Sequence, residues 1–184
     1  MMLTGRSLRK AVESRIKIEP FRAKQLSSDT YDLALGNEFL RLKSEETPIL
    51  DPRRLDVVGE RMFSNSFILQ PRHFVLARSE EWLELPADVM AMVAGKSSLA
   101  RLGLQIHSAA LLHSGHRGYV VFEITNHNSV PFKLVSGLQI AQLLFFNVEP
   151  SEEYYKLDIA TFKIQKRIEL PADLKFADGR AKPK

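Results

Sequence analysis

The apolar positions of the chain fall into short runs separated by turn residues, and only the N-terminal segment repeats at helical spacing. Residues 4–16 are therefore predicted to form a helix, with Thr4 or Ser7 as its cap. The face that packs on the protein would carry Leu8, Ala11 and Val12. Pro20 ends this segment, because proline lacks the backbone N–H that a continuing helix requires.

Beyond Pro20 the same pattern predicts strands. The apolar runs lie at residues 29–36, closed by Gly36, and at residues 67–69, 74–77, 89–93, 119–125 and 138–146. The last two runs are the strongest, and turn residues at 126–131 separate them. Many short strands with frequent turns favour an all-β sandwich or barrel with one short helix over alternating strands and helices.

Length and composition narrow this picture. The 184 residues fit one domain, expected at residues 1–150, with a C-terminal extension or lid at residues 151–184 whose end is loose. Basic residues in the tail account for part of the net charge of +4, and no basic run is interleaved with aromatic residues, which argues against a nucleic-acid surface. The chain has no cysteine, no apolar run long enough for a membrane and no signal-peptide core, so we expect a cytoplasmic protein.

The segment at residues 95–104 (GKSSLARLGL) carries the most concentrated chemistry. It follows a predicted strand, and Ser97 or Ser98 would suit the N-cap of a short helix. Arg101 lies three or four residues further on, so it faces the same side. Such a segment could bind a polyphosphate, although a capped helix with ordinary surface charges has the same composition.

Glu123 is the strongest candidate for proton transfer. In an extended strand it shares one face with Tyr119, Val121 and Thr125, within an otherwise apolar run. Partial burial would raise the pKa of its carboxyl toward the working pH, which suits a general base or acid. The alternative is a strand glutamate that pairs with a lysine or arginine at a sheet edge.

Residues 95–104 resemble the signature of dCTP deaminases, and trimeric dUTPases have a related Gly-Arg-Ser-Ser. Four further segments resemble motifs of this superfamily in the same order along residues 1–148: 31–36 (YDLALG), 85–88 (LPAD), 121–126 (VFEITN) and 136–143 (SGLQIAQL). The resemblance implies a dUTPase-like distorted jelly-roll or β-barrel. It also implies a homotrimer with sites between subunits.

The resemblance further implies a zinc-independent hydrolysis of dCTP to dUTP and ammonia. Glu123 would be the general base, with Arg101 and Ser97 holding the water. Phosphate binding would fall to five side chains: Lys96, Ser97, Ser98, Arg101 and Gln142. The base and sugar pocket would include His107, Ala109, Ala110 and His113. Mg²⁺ would bind only through the triphosphate. Protein side chains would hold no metal, since there are no cysteines and His113 and His116 have no further ligands nearby.

Three departures from the superfamily pattern keep alternatives open. In the segment 112–118 (LHSGHRG), His113 stands where dUTPases have an aspartate that activates water, which argues against dUTPase activity. Lys96 replaces the usual arginine and loses its bidentate fork. The tail lacks the residues that close over the triphosphate in the deaminases. The alternatives are a non-catalytic member that binds a nucleotide or a partner, and an enzyme for another pyrimidine nucleotide.

Overall fold

The computed structural model describes residues 1–47, 49–51, 57–107, 111–150 and 165–170, and strands dominate it. The predicted N-terminal helix is confirmed as α1, Gly5–Ser14, with Thr4 as its N-cap. The Thr4 backbone N–H donates to Ser7 Oγ at 3.0 Å. The predicted face packs on the core: Leu8 and Ala11 are buried and Val12 is partly buried. In the described part of the chain, no helix has the length and apolar character needed to cross a membrane.

Eleven strands, one short second helix and a single 3₁₀ turn at Ala23–Gln25 complete the described structure. The six predicted runs correspond to β2 (Tyr31–Leu42), β4 (Ser66–Leu69), β5 (Phe74–Glu84), β6 (Val89–Gly95), β9 (Arg117–Asn126) and β11 (Gln139–Asn147). The pattern missed β1 (Lys17–Glu19), β3 (Gly59–Phe63), β7 (Leu104–His107), β8 (Leu111–Leu112) and β10 (Phe132–Val135). The second helix, α2, is Ser97–Ala100.

The strands form one curled nine-stranded sheet and a separate pair. The order in the large sheet is β7-β9-β5-β2-β11-β6-β8, with β1 added on β5 and β3 on β2, while β4 pairs with β10. The early part of β2 pairs with β11, whereas its later part pairs with β5 and β3, so this long strand carries the sheet around the core. The structure confirms the all-β prediction.

The strand at residues 29–36 does not end at Gly36, as the sequence pattern predicted, but continues to Leu42. A side chain at Gly36 would place its Cβ 2.9 Å from the carbonyl oxygens of both Arg78 and Ser79 on β5. The pairing of β2 with β5 also shifts register between Leu35 and Phe39. Gly36 is therefore present because two backbones approach closely, not because the strand ends.

The two faces of the large sheet have different partners. The inner face packs into the main core, to which β9 contributes Val120, Phe122 and Ile124. The outer face carries a second, smaller cluster of Leu40, Leu76 and Ile168, with Val121 and Leu170 packed against it. Ile168 belongs to the part of the predicted extension that the structure describes. The remainder of that extension, residues 151–164 and 171–184, lies outside the described residues.

Candidate active site

The signature segment connects β6 to β7 through α2. Lys96, not Ser97 or Ser98, is the N-cap, and no side chain caps the helix, so the predicted serine cap is wrong. The Lys96 carbonyl accepts from Leu99 N at 3.0 Å and from Ala100 N at 3.1 Å, and α2 begins there because β6 continues to Gly95, two residues beyond the predicted run. The two serines therefore occupy the first helical positions, with both side chains exposed.

Arg101 follows directly after α2 and is exposed beside this turn. Its backbone N–H donates to the Ser97 carbonyl at 3.0 Å, which keeps the arginine within one turn of both serines. Leu99 is 7% exposed and anchors the turn in the core. Ser97, Ser98 and Arg101 are therefore all exposed within one turn of the chain.

Lys96 pairs with an acidic residue that the sequence pattern did not single out as part of the site. Its Nζ lies 2.5 Å from Asp32 Oδ2, and both side chains are less than one quarter exposed. Asp32 on β2 is the cross-strand partner of Gln142 on β11. Directly paired residues share a face, so Lys96, Asp32 and Gln142 converge at one place beside the signature. The available signal was an aspartate inside an apolar strand.

Glu123 lies where its alternation predicted, on the outer face of β9 with Tyr119, Val121 and Thr125. Its cross-strand partners are Leu76 on β5 and His107 on β7. The side chain is half-buried, and its Oε2 atom is shielded from solvent. The site therefore combines a carboxylate, an apolar neighbour and an imidazole.

Two histidines near Glu123 on the sheet, His107 and His127, are exposed at the protein surface. The Nε2 atom of His107 lies 3.0 Å from Thr125 Oγ1. The rings of His107 and His127 have centroids 6.1 Å apart. A role for His107 in a base pocket is consistent with this position, next to Glu123 and open to solvent.

Short strand β7 separates the two halves of the site within one chain. Leu104, at the end of β7 nearest α2, pairs with Asn126, whereas His107 at the far end pairs with Glu123. Three residues of extended strand span about 10 Å. Glu123 thus lies beside the end of β7 that is farther from Leu104, while the start of the signature approaches the middle of this strand, because a Cβ on Gly95 would lie 3.5 Å from Ile106.

The loop at residues 113–116 is tied to the turn between β5 and β6. Gly115 N donates to the Pro86 carbonyl at 3.2 Å, and Leu85 N donates to the His116 carbonyl at 2.9 Å. His113 itself is exposed, whereas burial lowers the pKa of the His116 ring, with a smaller contribution from the neighbouring His113. Two other predicted pocket residues, Ala109 and Ala110, lie outside the described residues.

Within the described ranges, no three histidine, aspartate or glutamate side chains are grouped so that they could hold a metal ion. The spacing of His113 and His116 therefore stands without a third ligand in that part of the chain.

Comparison with known proteins identifies the family of this chain. A family model described as dCTP deaminase-like matches residues 2–148. A protein from Persephonella marina named "dCTP deaminase, dUMP-forming" is 38% identical over 162 residues, which cover 85% of this chain and 89% of the relative. A protein of the same name from Thermobifida fusca is 35% identical over 172 residues, covering 90% of this chain and 88% of the relative.

Solved structures show the same fold. The 2'-deoxycytidine 5'-triphosphate deaminase from Agrobacterium tumefaciens aligns with a TM-score of 0.60 at 22% identity, over 88% of this chain and 53% of that one. A dUTPase from phage phi11 aligns with a TM-score of 0.51 at 11% identity, over 74% of this chain and 93% of that one. These likenesses confirm a dUTPase-like fold. Together with the matched family model and relatives, they establish that this chain belongs to the dCTP deaminase-like family.

Proposed function

We propose that this protein catalyses the hydrolytic deamination of dCTP. The observation that carries the proposal is the position of Glu123, a half-buried carboxylate on β9 opposite His107. The family membership supports it, because the relatives from Persephonella marina and Thermobifida fusca are both named as dCTP deaminases. A half-buried carboxylate beside an apolar side chain suits transfer of protons in both directions.

In the proposed reaction, Glu123 accepts a proton from water as the water oxygen attacks C4 of cytosine. The proton passes to N3 of the ring, and the tetrahedral carbon then bears a hydroxyl and the amino group. Glu123 next takes the hydroxyl proton and delivers it to the amino group. The C4–N bond breaks, ammonia leaves and the C4 carbonyl forms. Ser97 and Arg101 would orient the water and stabilise the charge that develops on oxygen.

The triphosphate would bind at the signature turn. Ser97 and Ser98 offer hydroxyls there, and Arg101 offers a guanidinium with several donors. Lys96 and Gln142 would complete the phosphate site from the place where they meet Asp32. The Asp32 carboxylate offsets part of the Lys96 charge, so Lys96 would contribute as an oriented donor. Mg²⁺ would enter bound to the triphosphate.

The mechanism requires Ser97 and Arg101 close to Glu123, which lies opposite His107 on β7. The resemblance to dCTP deaminases and trimeric dUTPases implies a homotrimer with sites between subunits. In the proposed assembly, one copy would supply the signature turn and its neighbour would supply Glu123.

The proposal also concerns the nucleotide product. The sequence predicts dUTP, because His113 stands where an aspartate would activate water for pyrophosphate cleavage. Both named relatives are called dUMP-forming, which favours dUMP, formed with additional loss of the two terminal phosphates. We therefore propose dUMP as the final product. Separation of the nucleotides after the reaction distinguishes dUMP from dUTP.

The test compares the wild-type protein with Glu123→Gln and with Glu60→Gln, which changes a glutamate on β3 that pairs with Arg41 on β2. With dCTP and Mg²⁺ near neutral pH, Glu123→Gln should lower ammonia release by about 100-fold or more, which is the usual scale for loss of a general base. Nucleotide binding, measured by calorimetry, should persist in this variant. Glu60→Gln should match the wild-type protein.

Each alternative reading predicts a different result. A wild-type protein that binds dCTP without releasing ammonia would be a non-catalytic member of the family. Release of ammonia or phosphate from another nucleotide in a panel of cytosine and uracil nucleotides, but not from dCTP, would assign a different substrate. Turnover of dCTP that survives in Glu123→Gln would refute the role assigned to this residue.

A further inference from the structure

Residues 165–170, which we call the strap, lie across the outer face of the sheet that carries Glu123. The backbone of Gln165 pairs with β9 in parallel: Tyr119 N donates to the Gln165 carbonyl at 2.9 Å, and Gln165 N donates to the Arg117 carbonyl at 3.1 Å. Gly118 makes this possible, because a Cβ there would lie 2.6 Å from the Gln165 carbonyl oxygen. The strap is thus seated on β9 by backbone hydrogen bonds at a position that requires glycine.

A buried carboxylate holds the middle of the strap. Glu38 is 2% exposed, and its Oε1 accepts from the Ile168 backbone N–H at 3.3 Å. Arg61 bridges the same two groups: Nη1 pairs with Glu38, and Nη2 donates to the Ile168 carbonyl at 2.7 Å. Arg78 Nε donates to the other Glu38 oxygen at 2.9 Å. Both polar backbone groups of Ile168 are therefore bound by side chains of β2 and β3.

The apolar side of the strap reaches the immediate neighbours of Glu123. Ile168 is fully buried and clusters with Leu76, while Val121 packs against the same cluster. Leu76 is the cross-strand partner of Glu123, and Val121 lies two residues before it on the same face. Directly paired side chains have Cβ atoms about 5 Å apart. Ile168 thus packs on the two side chains that border Glu123.

We propose that the strap is a positioning element for Glu123, with Ile168 as the residue that fixes Leu76 and Val121 against the carboxylate. The strap does not touch the substrate in this scheme. It keeps water away from one side of the carboxylate and limits its rotamers, because a packed neighbour leaves fewer alternatives. The effect on turnover rests on the proposed function, whereas the effect on the exposure of Glu123 does not.

The first test needs no nucleotide. Ile168→Ala removes fully buried methyl groups from the contact between the strap and the sheet. Such truncations shift a local opening equilibrium by about 30-fold or more. Carbodiimide labelling with mass spectrometry should then show faster modification of Glu123, with Glu60 unchanged as an internal reference. Trypsin cleavage after the exposed residues Lys166 and Arg167 should accelerate in parallel.

Arg61 on β3 and Arg41 on β2 provide a matched pair of variants, because each forms an ion pair with a glutamate on the other strand. Arg61→Gln loses the bond to the strap, whereas Arg41→Gln loses only the exposed pair with Glu60. Arg61→Gln should reproduce the labelling change of Ile168→Ala, and Arg41→Gln should not. Faster tryptic cleavage in Ile168→Ala and Arg61→Gln with unchanged labelling of Glu123 would overturn the proposal, since the strap would then open without exposing the carboxylate.

The second test uses turnover. In Ile168→Ala, kcat for deamination should fall about tenfold with KM changed less than about threefold, and the acid limb of the kcat–pH profile should move. Ile168→Val, which keeps most of the packing, should restore both. An unchanged pH profile with a lower kcat would reduce the strap to a structural role. A wild-type protein without activity would instead refute the proposed function, and the labelling experiment would still decide the role of the strap.

Discussion

Glu81 offers a quantitative test of how this fold handles a buried charge. Its side chain is 0% exposed. The carboxylate accepts from Gln25 Nε2 at 2.8 Å and from the backbone N–H of Ala34 at 3.0 Å, and Arg22 Nη1 lies 3.5 Å away. Ala34 is the position where β2 leaves its pairing with β11. Glu81 therefore links β5 to β2 at Ala34. This position is two residues after Asp32, which pairs with Lys96.

Burial raises the pKa of Glu81 above its ordinary value of 4.5, although the hydrogen bonds from Gln25 and Ala34 oppose the shift and neighbouring Glu80 adds to it. A raised folded-state pKa means that the native state binds more protons than the unfolded state between the two pKa values. The free energy of unfolding therefore decreases as pH rises through this window. One such carboxyl contributes a slope of at most about 1.4 kcal/mol per pH unit.

Glu81→Gln isolates this contribution, because glutamine has the shape of the protonated acid and does not titrate. Urea unfolding of both proteins, at one protein concentration and between about pH 4 and pH 8, gives the difference in unfolding free energy at each pH. The wild-type protein should lose stability relative to the variant as pH rises above 4.5, and the difference should level off above the folded-state pKa. Other titrating groups cancel in this difference.

A difference that stays flat would show that the pKa of Glu81 is not shifted. A difference that grows in favour of the wild-type protein as pH rises would show that the hydrogen bonds and the Arg22 charge outweigh the cost of burial. Either result would refute the assignment of desolvation as the dominant effect at this residue.

Two further substitutions test local packing by thermal or urea unfolding. Gly36→Ala should lower the unfolding free energy by about 1–3 kcal/mol, because its Cβ would meet two β5 carbonyls, whereas Gly95→Ala, with its nearest atoms at 3.5 Å, should change it little. Asn126→Ala should cost about 2–4 kcal/mol, since Asn126 is fully buried and its amide donates to the carbonyls of Leu69 and Val130. Asn37→Ala at an exposed position is the control, and equal losses would contradict the argument.

The sequence was most informative where alternation had to be read over many residues. The face of Glu123 followed from the two-residue period of β9, and it held because the strand is paired on both sides by β5 and β7. Strand β3 was not predicted because none of its residues is fully buried, so it shows no alternation of apolar and polar positions. It forms through its pairing with β2. A strand that is stabilised by pairing with a strand far away in the sequence shows no periodic pattern of apolar residues.

Residues whose partners are remote in sequence could not be found from the pattern. Glu38 reads as a polar residue after Gly36, yet it is buried because Arg61 and Arg78 converge on it from 23 and 40 residues away. The serine cap failed for a related reason. The end of β6, which is set by its pairing with β11, decides where α2 begins.

The motifs predicted the residue types of the candidate site but not what fixes their arrangement. Residues 104–107 form a strand pinned along its length to β9, so the position of His107 beside Glu123 is fixed by backbone hydrogen bonds. The signature segment approaches the same strand from β6, since a Cβ on Gly95 would lie 3.5 Å from Ile106. Neither contact leaves a periodic pattern in the sequence, because both join segments that are remote from each other along the chain. The pairing of β7 with β9 therefore decides an arrangement that the motifs alone leave open.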